Sequence, residues 1–169
     1  MTTLRTARML ARYNAWANEL MFTAVAQLPP GEATRQRSSL FPNIVHTLNH
    51  NYVIDLIFQA HLLGREHGFT TRNTPTCPAL EELWHAQQEV DHWYIAWSDG
   101  VTDAELNETV LFTFVGGGEG AMTRGEILLH VINHTTYHRG FVANLFYQIP
   151  ARPPATDLPV FLRDVPLKI

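Results

Sequence analysis

The sequence predicts an all-α protein, a four-helix bundle with a short β-hairpin or strand between its third and fourth helices. Three observations carry this reading. Four segments have helical length and apolar period, Pro and Gly breaks separate them, and one alternating stretch, Thr109 to Val115, runs into Gly116-Gly117-Gly118. The first helix extends from about Leu4 to Leu28 and stops at Pro29-Pro30. Leu10, Tyr13, Trp16, Ala17, Leu20, Met21, Ala24 and Leu28 share its apolar face, with Arg5, Arg8, Arg12 and Glu19 opposite. The second begins near Ser39 to Pro42, where Pro is tolerated in a first turn, and runs to about Arg65, ahead of Gly68. The third opens after Cys77-Pro78, presents Leu80, Leu83, Ala86, Val90, Trp93, Tyr94 and Trp97 inward, and closes near Ser98-Asp99-Gly100. The fourth starts at Thr123-Arg124-Gly125-Glu126, a capping box, and continues to about Gln148 before Pro150. The Pro-rich tail, Ala151 to Pro159, is expected to lie along the surface.

Length and composition bound the function. The 169 residues suit one domain, taken as 1–169, and 46% hydrophobic with 11% aromatic residues suffices for a packed core. Twelve basic against 16 acidic residues give a net charge of −4, which weighs against a nucleic-acid binder. No apolar run reaches the ~18 residues of a membrane span. The N-terminus carries Arg without early acids, yet it lacks an apolar signal core and its period continues to Leu28, so it is expected to be mature helix in a cytoplasmic protein. A single Cys, Cys77, excludes an internal disulfide and any Cys-x-x-Cys site. Nine His stand beside a single Lys, Lys168.

Helical phase sorts the histidines. On the fourth helix, with Ile127 as the centre of the apolar face, His134 and His138 fall about 20° to either side and His130 about 60° off, at the edge. On the second, His46 and His50 lie inside the arc of Val53, Leu56, Ile57 and Ala60, and His61 on its margin. His85 and His92 point outward from the third helix, and His67 sits at the frayed end of the second. One His-x-x-x-His pair thus faces the core from each of two helices, a spacing that can chelate one ion. Burying several unpaired rings in one core is costly, and a metal satisfies them together. Glu82 to His85 and Glu89 to His92 have the Glu-x-x-His spacing of di-iron bundles, but both copies lie on one helix and face outward, so that reading fails. Asp55 sits about 140° from His50 on the wheel, too far to share its ion. An all-nitrogen site suits Zn²⁺, Ni²⁺, Cu²⁺ or Fe²⁺, with zinc or nickel in front.

His46 to Gly64, HTLNHNYVIDLIFQAHLLG, resembles the second-helix signature of the DinB/YfiT-like proteins, Thr-Leu-Asn-His with Asp five residues after the His. Leu128 to Gly140, LLHVINHTTYHRG, resembles their fourth-helix signature, His-x-x-Asn-His-x-x-x-His-Arg-Gly. Tyr13-Asn14-x-Trp16-Ala17-Asn18 and Asp157-Leu158 fall in the matching order. The resemblance implies a four-helix bundle, typically a homodimer, with one divalent metal held by His50, His134 and His138. Three ligands leave a position open for water or substrate. Relatives of this kind include thiol S-transferases that use bacillithiol or mycothiol, so the resemblance implies metal activation of a low-molecular-weight thiol toward a small electrophile, or of a water. The runner-up is a non-catalytic metal-binding stress protein.

Tyr137 and Phe141 depart from the usual His and Gln of the signature, and His46 replaces a small or polar residue. Arg139 is a candidate for binding a substrate carboxylate or, equally, for a structural pair, and His46, near the mouth of the site, for carrying a proton or donating a hydrogen bond to a ligand. Asn49 and Asn133, each preceding a ligand, are candidates for orienting it, and Tyr137 is expected to pack. No inward Glu or Asp is identifiable as a general base.

Overall fold

Hydroxyl and amide side chains start four of the helices. In the computed structural model, which describes residues 2–166, Thr3, Asn43, Thr102 and Thr123 each accept a hydrogen bond from the backbone N–H three residues on. The elements in chain order are α1 (Leu4–Ala26), α2 (Ile44–Leu62), α3 (Leu80–Gly100), α4 (Asp103–Leu106), β1 (Thr109–Thr113), β2 (Glu119–Thr123), α5 (Arg124–Phe146) and α6 (Leu158–Asp164). The chain is therefore mostly helical, with one small antiparallel hairpin in which Thr109 faces Thr123 and Thr113 faces Glu119. Gly116, Gly117 and Gly118 all have positive φ, a turn conformation that side chains with a Cβ rarely adopt.

Each of the four long helices has two long neighbours: α1 and α2 both pack against α3 and α5. The apolar core is divided in two. One cluster gathers Ala7, Ala11, Val53, Phe58, Tyr94 and Val131, and the other Met21, Val25, Leu48, Leu83, Val142 and Leu145. Between these levels every long helix contributes polar residues that are fully or almost fully buried: Asn14 and Asn18 from α1, Asp55 from α2, Gln87 and Asp91 from α3, Thr135 and Arg139 from α5.

These residues bond one another, with Arg139 Nε alone of the set's buried atoms left without a partner among the described residues. Arg139 Nη1 donates to Asn14 Oδ1 at 2.7 Å and to Asn18 Oδ1 at 3.0 Å. Asn18 Nδ2 donates to both carboxylate oxygens of Asp91, at 3.0 and 3.1 Å. Gln87 Nε2 bridges Asp55 Oδ2 at 3.0 Å and Asp91 Oδ1 at 3.1 Å, and Tyr94 donates to the Asp55 carbonyl at 2.8 Å. Burial pushes the Asp91 carboxyl up to about 6, against the pull of Asn18, Gln87 and Arg139. Burial and the charge of Asp91 push the Asp55 carboxyl well above the usual carboxylate range.

The structure corrects several expected boundaries and faces. α2 starts at Ile44 and ends at Leu62, because Asn43 caps it and Gly64, at φ +64°, turns the chain; the Gly64 N–H bonds the His61 carbonyl and the Arg65 N–H that of Ala60. α4, opened by a Thr102–Glu105 capping box, and α6 were not anticipated. Residues 151–159 run along the surface, none of them buried, and the Thr156 carbonyl accepts from Tyr13 at 2.9 Å. Beyond them, Phe161 of α6 is buried against Tyr13 and Trp16. On α3 the buried face is Leu83, Gln87, Val90, Asp91, Tyr94 and Ser98, rotated from the purely apolar stripe toward the polar layer.

Removing the central cation leaves the amide oxygens of Asn14 and Asn18 without their donor. Arg139→Met should cost about 2–5 kcal/mol, the scale for leaving two buried acceptors unpaired, whereas Arg152→Met at an exposed position should cost under about 0.5 kcal/mol. Urea denaturation of the two variants measures the difference, and equal costs would show that the layer does not hold the helices.

Candidate metal centre

Residues four apart on α5 lie one above the other, so His134 and His138 share a face. Thr135 and Arg139, one residue on, fall on the adjoining face and join the polar layer. α2 is buried on nearly every side, and His50 reaches the α5 pair from it. One ligand atom from each of His50, His134 and His138 lies within 4.8 Å of the others. His50 Nε2 and His134 Nε2 are 3.1 Å apart.

The position of His50 is fixed from a loop. Asn49, fully buried, accepts from Asn73 Nδ2 at 3.1 Å, the Thr74 N–H at 3.0 Å and Thr74 Oγ1 at 3.2 Å. Asn73 Nδ2 also donates to the His46 carbonyl at 2.9 Å. With residues 73 and 74 tied to α2 in this way, the Arg72 carbonyl accepts from His50 Nδ1 at 2.8 Å. A carbonyl only accepts, so the proton of a neutral His50 sits on Nδ1 and the Nε2 lone pair faces the cluster. This is the carbonyl–imidazole arrangement that orients metal-ligating histidines.

The donor set fits a divalent ion. Two ligands of a tetrahedral zinc with bonds near 2.0–2.1 Å stand about 3.3 Å apart, close to the 3.1 Å between the two Nε2 atoms. His134 Nδ1 and His138 Nδ1 are buried without a hydrogen-bond partner. Burial is the main cause that lowers all three rings: His134 to about 3, with His138, His50 and His130 adding, and His138 to about 4, with His50 adding. His50 is lowered as well, against the raising effect of its bond to Arg72. Neutral imidazoles are what a metal requires. Aromatic rings frame the cluster: Phe41 lies 4.6 Å from His50 and 5.6 Å from His138 between ring centroids, Tyr137 5.0 Å and Phe141 5.8 Å from His138.

The other expected site residues divide. His46 is half-buried and outside the three-His group, and so is His130, whose ring lies 5.7 Å from His134. Asn49 does support its neighbour, through the loop rather than by touching the ring. Asn133 is exposed and serves no such role. Arg139 is 2% exposed and bonded to Asn14, Asn18 and Thr136, so it is part of the interior and not a seat for a substrate carboxylate. Tyr137 packs edge-on against His138 and Phe141, at 5.0 Å from each between ring centroids, while 59% of it stays exposed. Inward carboxylates do exist, Asp55 and Asp91, but both belong to the polar layer. His85 and His92 are exposed, as their phase implies. The Arg72 carbonyl was invisible in the sequence, since any residue supplies one.

These shifts set a pH dependence. Between about pH 6.5 and 4 the unfolded chain binds protons on rings that the folded chain keeps neutral, so their contribution to stability is complete near pH 7 and is lost as pH falls. His134→Gln removes one such ring. In chelator-treated protein, the difference in thermal midpoint between wild type and His134→Gln should therefore move in the variant's favour from about pH 7 to about pH 5. A difference that is flat or moves the other way would contradict the burial of a neutral His134.

The chain matches the DinB family over residues 1–165. It is 28% identical to Protein DinB of Bacillus subtilis (strain 168) over 159 residues, covering 90% of this chain and 91% of the relative. The match spans the helices that supply the three converging histidines and the layer that holds them in register, and the chain belongs to the DinB family.

Proposed function

We propose that this protein holds one divalent metal ion, zinc or nickel, on His50, His134 and His138, and uses it to activate a low-molecular-weight thiol, in a transferase-like reaction, or a water. The observation that carries the reading is the convergence of three neutral imidazoles, one of them pinned by the Arg72 carbonyl with its lone pair aimed at the other two. When bound, such an ion acts as a Lewis acid that makes a thiol or water more acidic. The protein's own part is to keep the rings unprotonated and fixed. Phe41, Tyr137 and Phe141 hold an apolar frame around the ligand position and limit the access of bulk water. His46, one turn before His50, is the residue that would take up a proton released by the thiol or water. The four long helices act as one bundle built around this edge, in a cytoplasmic homodimer acting on a small molecule.

A non-catalytic metal-binding stress protein is the second reading. It is favoured by the absence of a carboxylate from the described histidine group, since Asp55 and Asp91 are engaged in the interior. Conjugation assays with several low-molecular-weight thiols and a reactive electrophile separate the two readings.

Metal analysis of tag-free protein tests the ligands. Wild type should carry about one ion per chain, and His50→Ala, His134→Ala and His138→Ala should each lose it, while His85→Ala and His92→Ala keep it. Retention of one tightly held ion by all three inner variants would overturn the assignment. Coordination number is read from the Co²⁺-substituted protein, whose spectrum should change on adding azide. A spectrum that responds only after His46→Ala would mean a closed four-His site and a structural ion.

A further inference from the structure

The groove between α1 and α3 holds a second candidate site. A cavity of about 530 Å³ opens there beside the end of α6, and none of the three converging histidines lines it. Contacts across the groove set its levels. Arg12 meets Asp99, Asn18 meets Asp91 and Phe22 stacks on Trp84, so the two helices run antiparallel. Trp84 therefore stands level with Phe22, six residues and about 9 Å along α1 from Trp16. Glu19 lies halfway between these two levels.

Both indoles line the cavity, and each is braced by a neighbour. Trp84 stacks on Phe22 at 4.7 Å and 21°, and Trp16 rests against Phe161 at 5.4 Å and 53°. The charges of the lining are unequally engaged. Arg12 spends its guanidinium on Asp99, with bonds of 3.0 and 2.8 Å to the two carboxylate oxygens. Glu19 is exposed and makes no ion pair or hydrogen bond among the described residues. Asp91, buried and held by Asn18 and Gln87, adds a second carboxylate to the wall. His92 is the other basic side chain of the lining.

We infer that this groove binds an organic cation of the alkylated-ammonium type, its charge between the indoles of Trp16 and Trp84 and facing the Glu19 carboxylate. An indole attracts a cation within about 6 Å of its centroid, and a group midway between the two levels lies ~4.5 Å along the axis from each. Methyl groups on the nitrogen suit apolar walls, where a bare ammonium would lose its hydration without gaining donors' partners in return. An anion entering the same space would meet two carboxylates and one guanidinium that is already paired. The volume falls within the range of small-ligand sites and leaves room for a substituent on the nitrogen. The inference does not depend on the metal centre.

Isothermal titration calorimetry of the full chain at pH 8 tests it, with choline and with 3,3-dimethyl-1-butanol, which has the same shape but carbon in place of the charged nitrogen. Choline should bind saturably with one site per chain, at least about tenfold more tightly than the alcohol. Trp84→Leu should weaken choline about tenfold. Glu19→Gln, at an exposed position clear of the core, should weaken it about fivefold even if Trp84→Leu proves unstable. No saturable binding below about 5 mM, equal binding of the alcohol, or undiminished binding by Glu19→Gln would each overturn the inference.

Discussion

Arg139 brings a guanidinium into the middle of four helices, and the buried polar residues are arranged around its two Nη atoms, with Nε left unpartnered among the described residues. Its partners on α1 pass the connection to Asp91, Gln87 carries it on to Asp55, and all four long helices are thereby tied at one level. Apolar contacts alone would let helices slide by a turn at small cost, because one Leu or Val replaces another in a greasy interface. A buried charge with directional partners does not permit that, since a slipped register leaves unpaired polar atoms in a dry interior. The layer separates two apolar clusters and fixes the height of each helix relative to the others.

The histidine cluster inherits its geometry from this constraint. His134 and His138 alternate along α5 with Thr135 and Arg139, so the same two turns face the interior layer on one side and the candidate metal position on the other. Rotating or shifting α5 to improve one face would spoil the other. From α2 a comparable division appears between Asp55, in the layer, and His50, at the cluster, with Asn49 fastening the loop whose carbonyl orients the His50 ring. The cluster thus rests on rigid helices at two corners and on a tethered loop at the third, and precise placement follows from that support.

Around the three histidines the chain places aromatic rings. Tyr137 and Phe141 stand against His138, and Phe41 comes in from the segment before α2, giving the site an aromatic border. At the far end of α2 an open cavity lies between His61, the Gly64–Thr70 loop and β1.

The sequence by itself determined the long helices, the hairpin and the inward His-x-x-x-His pair of α5, because a 3.6-residue period, caps and Pro or Gly breaks are local signals that survive in a linear string. The family likeness added His50 to that pair, and the structure brings the three rings together. What escaped was whatever depends on partners distant in the chain. Asn14, Asn18, Gln87 and Asp91 carry no local signal of burial, because polarity ordinarily marks solvent, and only the packed helices show that they bond one another. For Arg139 the sequence left a substrate contact and a structural pair both open, and the packed interior decides for the second. Phase on α2 could place His46 and His50 alike toward the interior, but it could not say that only His50 reaches α5, since that depends on the relative height of two helices. The bond from His50 to the Arg72 carbonyl spans 22 residues and involves a backbone group that every residue carries, so no sequence pattern encodes it and the tertiary fold alone decides it.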